Sequence, residues 1–431
     1  MTLLLLFAVM MFLMAAGMDI GVAMIASSFL YLLLHIGDPL SIPLAAMPQK
    51  MLYGVDSFPL LAVPLFMLAG DLMAAGGITT RIVRFCTALV GWIAGGLAHV
   101  NVAVNMIMAG MSGSAVADAA ATGSILIPAM VRAGIPAAFA AAVTAAASTI
   151  GPVIPPSIPF VLIGSIAQVS IGRLFLGGAI PGIIIGFFLM AACYLVAKRR
   201  GFPVERRPDL KELLVSFWES APALGMPVLV LGSILTGITT PTEAAVIAVV
   251  YALILSMVVY RQLSIKECYK LFVRMGSLSA AIMLTISAAT LLGFVATAEQ
   301  MGPKLMNLFM PLSQNPYVIL FIINGALLIL GCVMEPVPII LLTVPIFFPP
   351  LVKLGIDPIH LGVVMTLNLM ISLLTPPVGL NLFIVSAISD VPIIKIARES
   401  VVFFAVLVGM LVVITLFPQL VLWLPNQFMG I

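Results

Sequence analysis

Ser148-Thr149-Ile150-Gly151-Pro152-Val153-Ile154-Pro155-Pro156-Ser157 sets three prolines within five residues of an otherwise apolar run, and Ser372-Leu373-Leu374-Thr375-Pro376-Pro377-Val378-Gly379-Leu380-Asn381 repeats the double proline. Each proline removes a backbone donor and clashes with the carbonyl four residues back. The residue before it is pushed out of the helical region. A helix must therefore break at both places, and the carbonyls of about Gly151 to Ile154 lose their helical partners. Freed carbonyls with a hydroxyl beside them make an oxygen cage suited to a hard cation such as Na⁺. The helix that restarts after each break offers N–H groups to an anion.

The surroundings of these breaks are those of a membrane protein. The 431 residues are 63% hydrophobic and 8% charged, with a mean hydropathy of +1.27, whereas soluble domains carry about 25% charged residues. The runs from Thr2 to Gly37, Ala179 to Ala197 and Val401 to Leu424 reach or approach the roughly 20 residues that span a bilayer. The first run has no basic leader and stays apolar past Asp19, so it is expected to remain in the mature protein. Apolar segments fall near 2–16, 20–36, 58–75, 86–110, 136–170, 173–197, 223–238, 242–260, 276–298, 316–333, 359–389 and 399–424. The expected fold is an all-α polytopic membrane protein of about 11–12 transmembrane helices. Cys86, Cys193, Cys268 and Cys332 are scattered through apolar segments and read as small core residues. With the three histidines they make no metal-ligand spacing. No G-x-x-x-x-G-K-[ST] loop occurs, so nucleotide hydrolysis on this chain is excluded as a motor.

The most polar stretch, Lys198 to Glu212, carries six basic and three acidic residues, and Arg261 to Arg274 carries four basic and one acidic. Both are expected on the cytoplasmic side. The net charge of +3 is an orientation signal of this kind and implies no nucleic-acid partner. Residues 209–220 and 264–274 mix charge with large apolar side chains at helical spacing and are expected to lie in the membrane interface.

The polar stretch divides two repeats. A shift of 221 residues pairs Gly110 with Gly331, Pro128 with Pro349, Arg132 with Lys353, Gly134-Ile135 with Gly355-Ile356, the two double prolines, and Ser165 with Ser386. The expected organisation is a first repeat over 1–197, with a re-entrant hairpin at 111–131 and a broken helix at 136–170. A polar connection follows at 198–222. The second repeat covers 223–431, with a hairpin at 334–352 and a broken helix at 359–389. Twelve crossings split six and six would make the repeats parallel. Hairpins with broken helices at matching places favour inverted repeats, which need an odd number of crossings each and so one fewer span near 2–36 or 223–260.

The hairpins carry the remaining polar groups. Gly110-Met111-Ser112-Gly113-Ser114-Ala115-Val116-Ala117-Asp118 packs two hydroxyls and a carboxylate at membrane depth, and Gly331-Cys332-Val333-Met334-Glu335-Pro336 sets Glu335 at the register of Ser114. Small residues here also serve close helix packing. A carboxylate in a bilayer is costly and marks function, so Asp118 and Glu335 rank above Asp19, Asp71 and Glu243, which sit near turns or helix ends. An intramembrane enzyme would need a nucleophile and base or a metal cluster. Asp118 and Glu335 are the only pair on offer and no His or Cys pattern supports them, so an enzyme is not expected.

With these residues in view, the chain resembles the large membrane subunit of the tripartite ATP-independent periplasmic (TRAP) transporters over nearly its whole length. The resemblance rests on 110–118, 151–157, the Gly237-Ile238-Thr239-Thr240-Pro241-Thr242-Glu243-Ala244-Ala245 segment, and Thr375-Pro376-Pro377-Val378-Gly379. It implies a Na⁺-coupled importer of a small organic anion in the bacterial inner membrane, working as an elevator. It also implies two partners, a small four-helix membrane subunit and a periplasmic substrate-binding protein. The resemblance places one Na⁺ at Ser114, Gly151, Ile154 and Pro156 and another at Gly331, Ser372, Thr375 and Val378, with Ser372 standing where the repeat would put a glycine. It places substrate contacts at Ser112, Ser114 and Asp118, with Glu335 or Asn381 opposite. Sialic acid is the expected substrate and C4-dicarboxylates the alternative, though no residue above selects between them. The competing function is a stand-alone Na⁺/dicarboxylate-type carrier of related architecture.

Overall fold

The computed structural model describes residues 2–35, 43–204, 208–309 and 315–430; Glu205, Arg206 and Arg207 of the polar connection lie outside them. Among the described residues the structure is helical throughout. The first repeat comprises α1 (Thr2–Ala15), α2 (Ile20–Leu34), α3 (Ala46–Val55), α4 (Ala62–Ala75, entered through a 3₁₀ turn at Phe58–Leu61), α5 (Ile78–Val90), α6 (Gly96–Ser112), α7 (Ala115–Arg132), α8 (Ala137–Ser148), α9 (Ile158–Ala167) and α10 (Ile171–Arg200). The second comprises α11 (Leu210–Leu235), α12 (Pro241–Leu253, running on as a π-helix over Ile254–Val259), α13 (Ile265–Ala298), α14 (Met301–Phe309), α15 (Pro316–Gly331), α16 (Pro336–Lys353), α17 (Pro358–Ser372), α18 (Leu380–Ser389) and α19 (Ile393–Leu416), and α20 (Gln419–Met429) closes the chain.

The 221-residue register carries α7 onto α16 residue for residue and α6, α8, α9 and α10 onto α15, α17, α18 and α19 within a few residues. Equivalent helices run in opposite directions. The end of α10 meets the start of α19, where Arg200 pairs with Glu399 at 2.8 Å. The start of α10 packs at Gly172 against Ile234, near the end of α11. That salt bridge is partly exposed and contributes at most about 1 kcal/mol; its value here is as a marker of direction. The hairpins open accordingly from opposite faces. Gly95, at the base of the first, abuts Ala197 on the basic face. The base of the second packs against the far end of α13 and the start of α14, with Gly302 facing the carbonyl of Ile346. The repeats are inverted.

Three expectations change in detail. Residues 111–131 and 334–352 are not whole hairpins: each holds the turn and the second arm, and α6 and α15 are the first arms. The segments 86–110 and 316–333, counted as crossings, are largely these first arms, so the surplus spans lie here and not near 2–36 or 223–260. Hydropathy does not distinguish an arm that turns back from one that crosses. Residues 209–220 and 264–274 do not form separate interface helices but are the opening turns of α11 and α13. The 34 residues of α13 reach about 51 Å, well beyond a hydrocarbon core of roughly 30 Å. Eight helices among the described residues are long and apolar enough to cross a membrane, α7 and α16 included.

Inversion makes a direct prediction. With Cys268 and Cys332 replaced by serine, a cysteine at Arg132 should react with a membrane-impermeant maleimide only from the basic face. A cysteine at Lys353 should react only from the other face. Labelling of both from one side would show parallel repeats.

Candidate functional site

Both double prolines lie inside non-helical connections, between α8 and α9 and between α17 and α18. Their own peptide bonds, Pro155-Pro156 and Pro376-Pro377, are cis. In the first connection the carbonyl of Pro152 is taken up by the hydroxyl of Ser157, which also caps α9 by accepting from the N–H of Phe160. Among the described residues no hydrogen bond is made to the carbonyls of Gly151, Ile154 or Pro156. In the second connection those of Thr375 and Val378, and that of Gly331 on the facing hairpin, are likewise left without a donor. The carbonyl of Ser372 differs: it accepts from the N–H of Thr375 at 2.9 Å, while its hydroxyl donates to Leu369. A serine stands here in place of the repeat's glycine, and its carbonyl is engaged within the turn, where Gly151 leaves its own carbonyl free.

Each hairpin tip seals the break it faces. Gly113, at φ +60°, ends α6 in the left-handed region, and a Cβ there would lie 2.6 Å from the Pro156 carbonyl oxygen. Only glycine combines that φ with that approach. In the second repeat the N–H of Val378 donates to the carbonyl of Cys332 at 3.1 Å. Ser114 caps α7, its hydroxyl accepting from the N–H of Ala117. Asp118, one turn on, is fully buried. One of its oxygens accepts from Ser112 Oγ at 2.6 Å. The other, Oδ2, has no hydrogen-bond partner and lies against Gly151, where a Cβ would overlap it. At the matching place in the second repeat, the Ser372 side chain fills the space beside Gly331. A buried carboxylate oxygen without a donor is expensive unless a cation or a proton compensates it.

A cavity of about 430 Å³ lies between the two tips. The N-termini of five helices reach its wall: α2 at Asp19, α7 at Ser114, α9 at Ile158, α16 at Glu335 and Pro336, and α18 at Leu380. Val63 and Met67 of α4 and Leu278 to Thr285 of α13 close it. The first N–H groups of each helix have no intrahelical acceptor and carry a partial positive charge. No Lys, Arg or His is among the described lining residues.

Of the expected substrate residues, Ser114 and Glu335 line the cavity; Ser112, Asp118 and Asn381 do not. Ser112 and Asp118 lie buried behind the wall, bonded to each other. Asn381 is buried between the two breaks, its amide donating to Ser148 Oγ at 2.8 Å, which ties the repeats together at their centre. Asp19, ranked below Asp118 by sequence, has two roles in the structure. It caps α2, accepting from Gly21 at 2.9 Å, as its position before an apolar run implies, and it also lines the cavity. Spacing reveals the cap but not the cavity it faces.

Replacing Gly151 by alanine should displace Asp118, lower the melting temperature and abolish transport. Gly331→Ala should do the same by meeting Ser372, and adding Ser372→Gly should restore much of the loss because it vacates that space. A melting curve of the Gly331→Ala/Ser372→Gly pair no better than Gly331→Ala alone would refute this packing.

The family model for the DctM component of the tripartite ATP-independent periplasmic transporter matches residues 7–420. The chain is 40% identical to the sialic acid TRAP transporter large permease protein SiaM of Vibrio cholerae, over 97% of each chain. It is also 40% identical to the C4-dicarboxylate TRAP transporter large permease protein DctM of Pseudomonas aeruginosa, over 88% of each. In fold it is similar to the YdaH transporter of Alcanivorax borkumensis, with a TM-score of 0.62 over 87% of each chain at 14% identity. With two inverted repeats, a tip facing each break, and this match over nearly its full length, the chain belongs to the family of the DctM component, the large permease, of the tripartite ATP-independent periplasmic transporters.

Proposed function

We propose that this chain is the permease through which a small organic anion enters the cell, driven by Na⁺ and delivered by a periplasmic binding protein, in a complex with a small four-helix membrane subunit in the bacterial inner membrane. The observation that carries the reading is the convergence of five helix N-termini on a cavity without a basic side chain. Such a site holds a carboxylate without the desolvation cost of a buried Lys or Arg.

Coupling to Na⁺ is supported by the unpartnered carbonyls. Gly151, Ile154 and Pro156 beside Ser114, and Gly331, Thr375 and Val378 in the second repeat, supply neutral oxygens of the type a hard cation prefers. Ser372 contributes least, its carbonyl being engaged. The Asp118 carboxylate behind the first set adds the charge that the second set lacks. Binding of the ions would firm the tips around the anion, which links the two affinities. Two hairpins opening from opposite faces onto one cavity also suit an elevator, since moving the hairpins and broken helices together past α4 and α13 exposes the cavity to either side. Sialic acid is the substrate of choice, given the similarity to SiaM, with C4-dicarboxylates next.

Uptake into proteoliposomes holding the chain, its small subunit and the loaded binding protein should require an inward Na⁺ gradient. Ser114→Ala and Thr375→Ala should each raise the half-saturating Na⁺ concentration by about tenfold, the scale of one lost contact to a charged group. Unchanged Na⁺ dependence in both would remove the ion assignment. Transport by the chain alone, with no binding protein, would identify a stand-alone carrier instead.

A further inference from the structure

The reading of the cavity as the anion site leaves open what kind of anion it takes, and the charges on its wall bear on that. Among the described lining residues the only ionisable side chains are Asp19 and Glu335. They come from different parts of the molecule, Asp19 from the turn between α1 and α2 and Glu335 from the tip of the second hairpin. The two are near enough to interact electrostatically. Neither is consumed by structure. Asp19 uses Oδ1 for its cap, and Glu335 begins α16 without making a side-chain capping bond. Both residues are exposed to the space they line.

An ionised carboxylate accepts hydrogen bonds and donates none, and a second carboxylate against it is repelled, strongly so where water is scarce. The same wall also carries backbone donors, at the N-termini of α7 beside Ser114 and of α9 at Ile158. The cavity thus offers backbone donors fit for a carboxylate, and two carboxylates fit for hydroxyl, amide or ammonium donors.

We infer that Asp19 and Glu335 are specificity-determining residues, which select a monocarboxylate rich in hydrogen-bond donors, such as a sugar acid, and reject a dicarboxylate. Asp19 extends this selection to the α1–α2 turn, outside the hairpins and breaks.

The test bypasses the selectivity of the binding protein. The full chain, purified with its small subunit, is melted in saturating Na⁺ against four acids: N-acetylneuraminate and gluconate, which have one carboxylate and several hydroxyls; succinate, which has two carboxylates; and monomethyl succinate, which keeps the succinate skeleton with one charge. At least one hydroxylated monocarboxylate should raise the melting temperature at a concentration about tenfold or more below that needed for succinate, with monomethyl succinate between them. Asp19→Asn keeps the cap, asparagine being as good at that position, and removes the charge; Glu335→Gln removes the other. Each should bring the succinate concentration down by about tenfold while leaving that for monomethyl succinate nearly unchanged. Succinate as effective as the hydroxylated acids on the unaltered protein, or no response of succinate to either substitution, would overturn the inference while leaving the anion site intact. No stabilisation by any of the four would overturn both.

Discussion

Everything distinctive in this structure follows from one constraint, that a backbone polar group at membrane depth needs a partner where there is no water to supply one. Two double prolines open the backbone of two helices, at Pro155-Pro156 and Pro376-Pro377. The structure answers with hairpin tips. Gly113 closes on the Pro156 carbonyl, the Val378 N–H reaches the Cys332 carbonyl, and Ser157 takes up the carbonyl of Pro152. Among the described residues, the carbonyls left without a donor here belong to the two breaks and to Gly331 on the second hairpin. The broken helices need the hairpins, and the hairpins need the surrounding helices to hold their bases at opposite faces.

The repeats share this plan without being interchangeable. In the first, a buried carboxylate lies against a glycine: Asp118 against Gly151. In the second, a serine lies against a glycine: Ser372 against Gly331. In both cases a side chain occupies space that only the absence of a Cβ provides. The chemical consequence differs, because one corner carries a carboxyl group and the other only a hydroxyl. Asn381 joins them, reaching from the second break to Ser148 in the first, so a change in one break is felt directly by the other.

Much of the architecture was legible along the chain, because proline, glycine and charge act locally. A double proline breaks a helix wherever it stands, and the 221-residue register made the two breaks a pair. Arg132 and Lys353 were recognisable as counterparts from the same register. Their opposite locations were not, since hydropathy records how apolar a segment is and not whether it turns back: α6 and α15 are as apolar as a crossing helix and end at mid-membrane. Asp118 shows the same limit at the scale of one residue. Its cost in a bilayer marked it as important, but whether it faces the cavity or the wall behind it depends on how α7 is rotated against the first break.

The sequence by itself determined that the chain is a membrane protein of two related halves, each with a broken helix facing a small-residue hairpin, because these features depend on composition and backbone chemistry at single positions. The tertiary structure alone decided that the halves are inverted, that Asn381 and Asp118 lie behind the cavity wall, and that Asp19 stands on it. Those outcomes turn on which face each helix presents after packing, and the double prolines, which announce a break, do not say what will come to fill it.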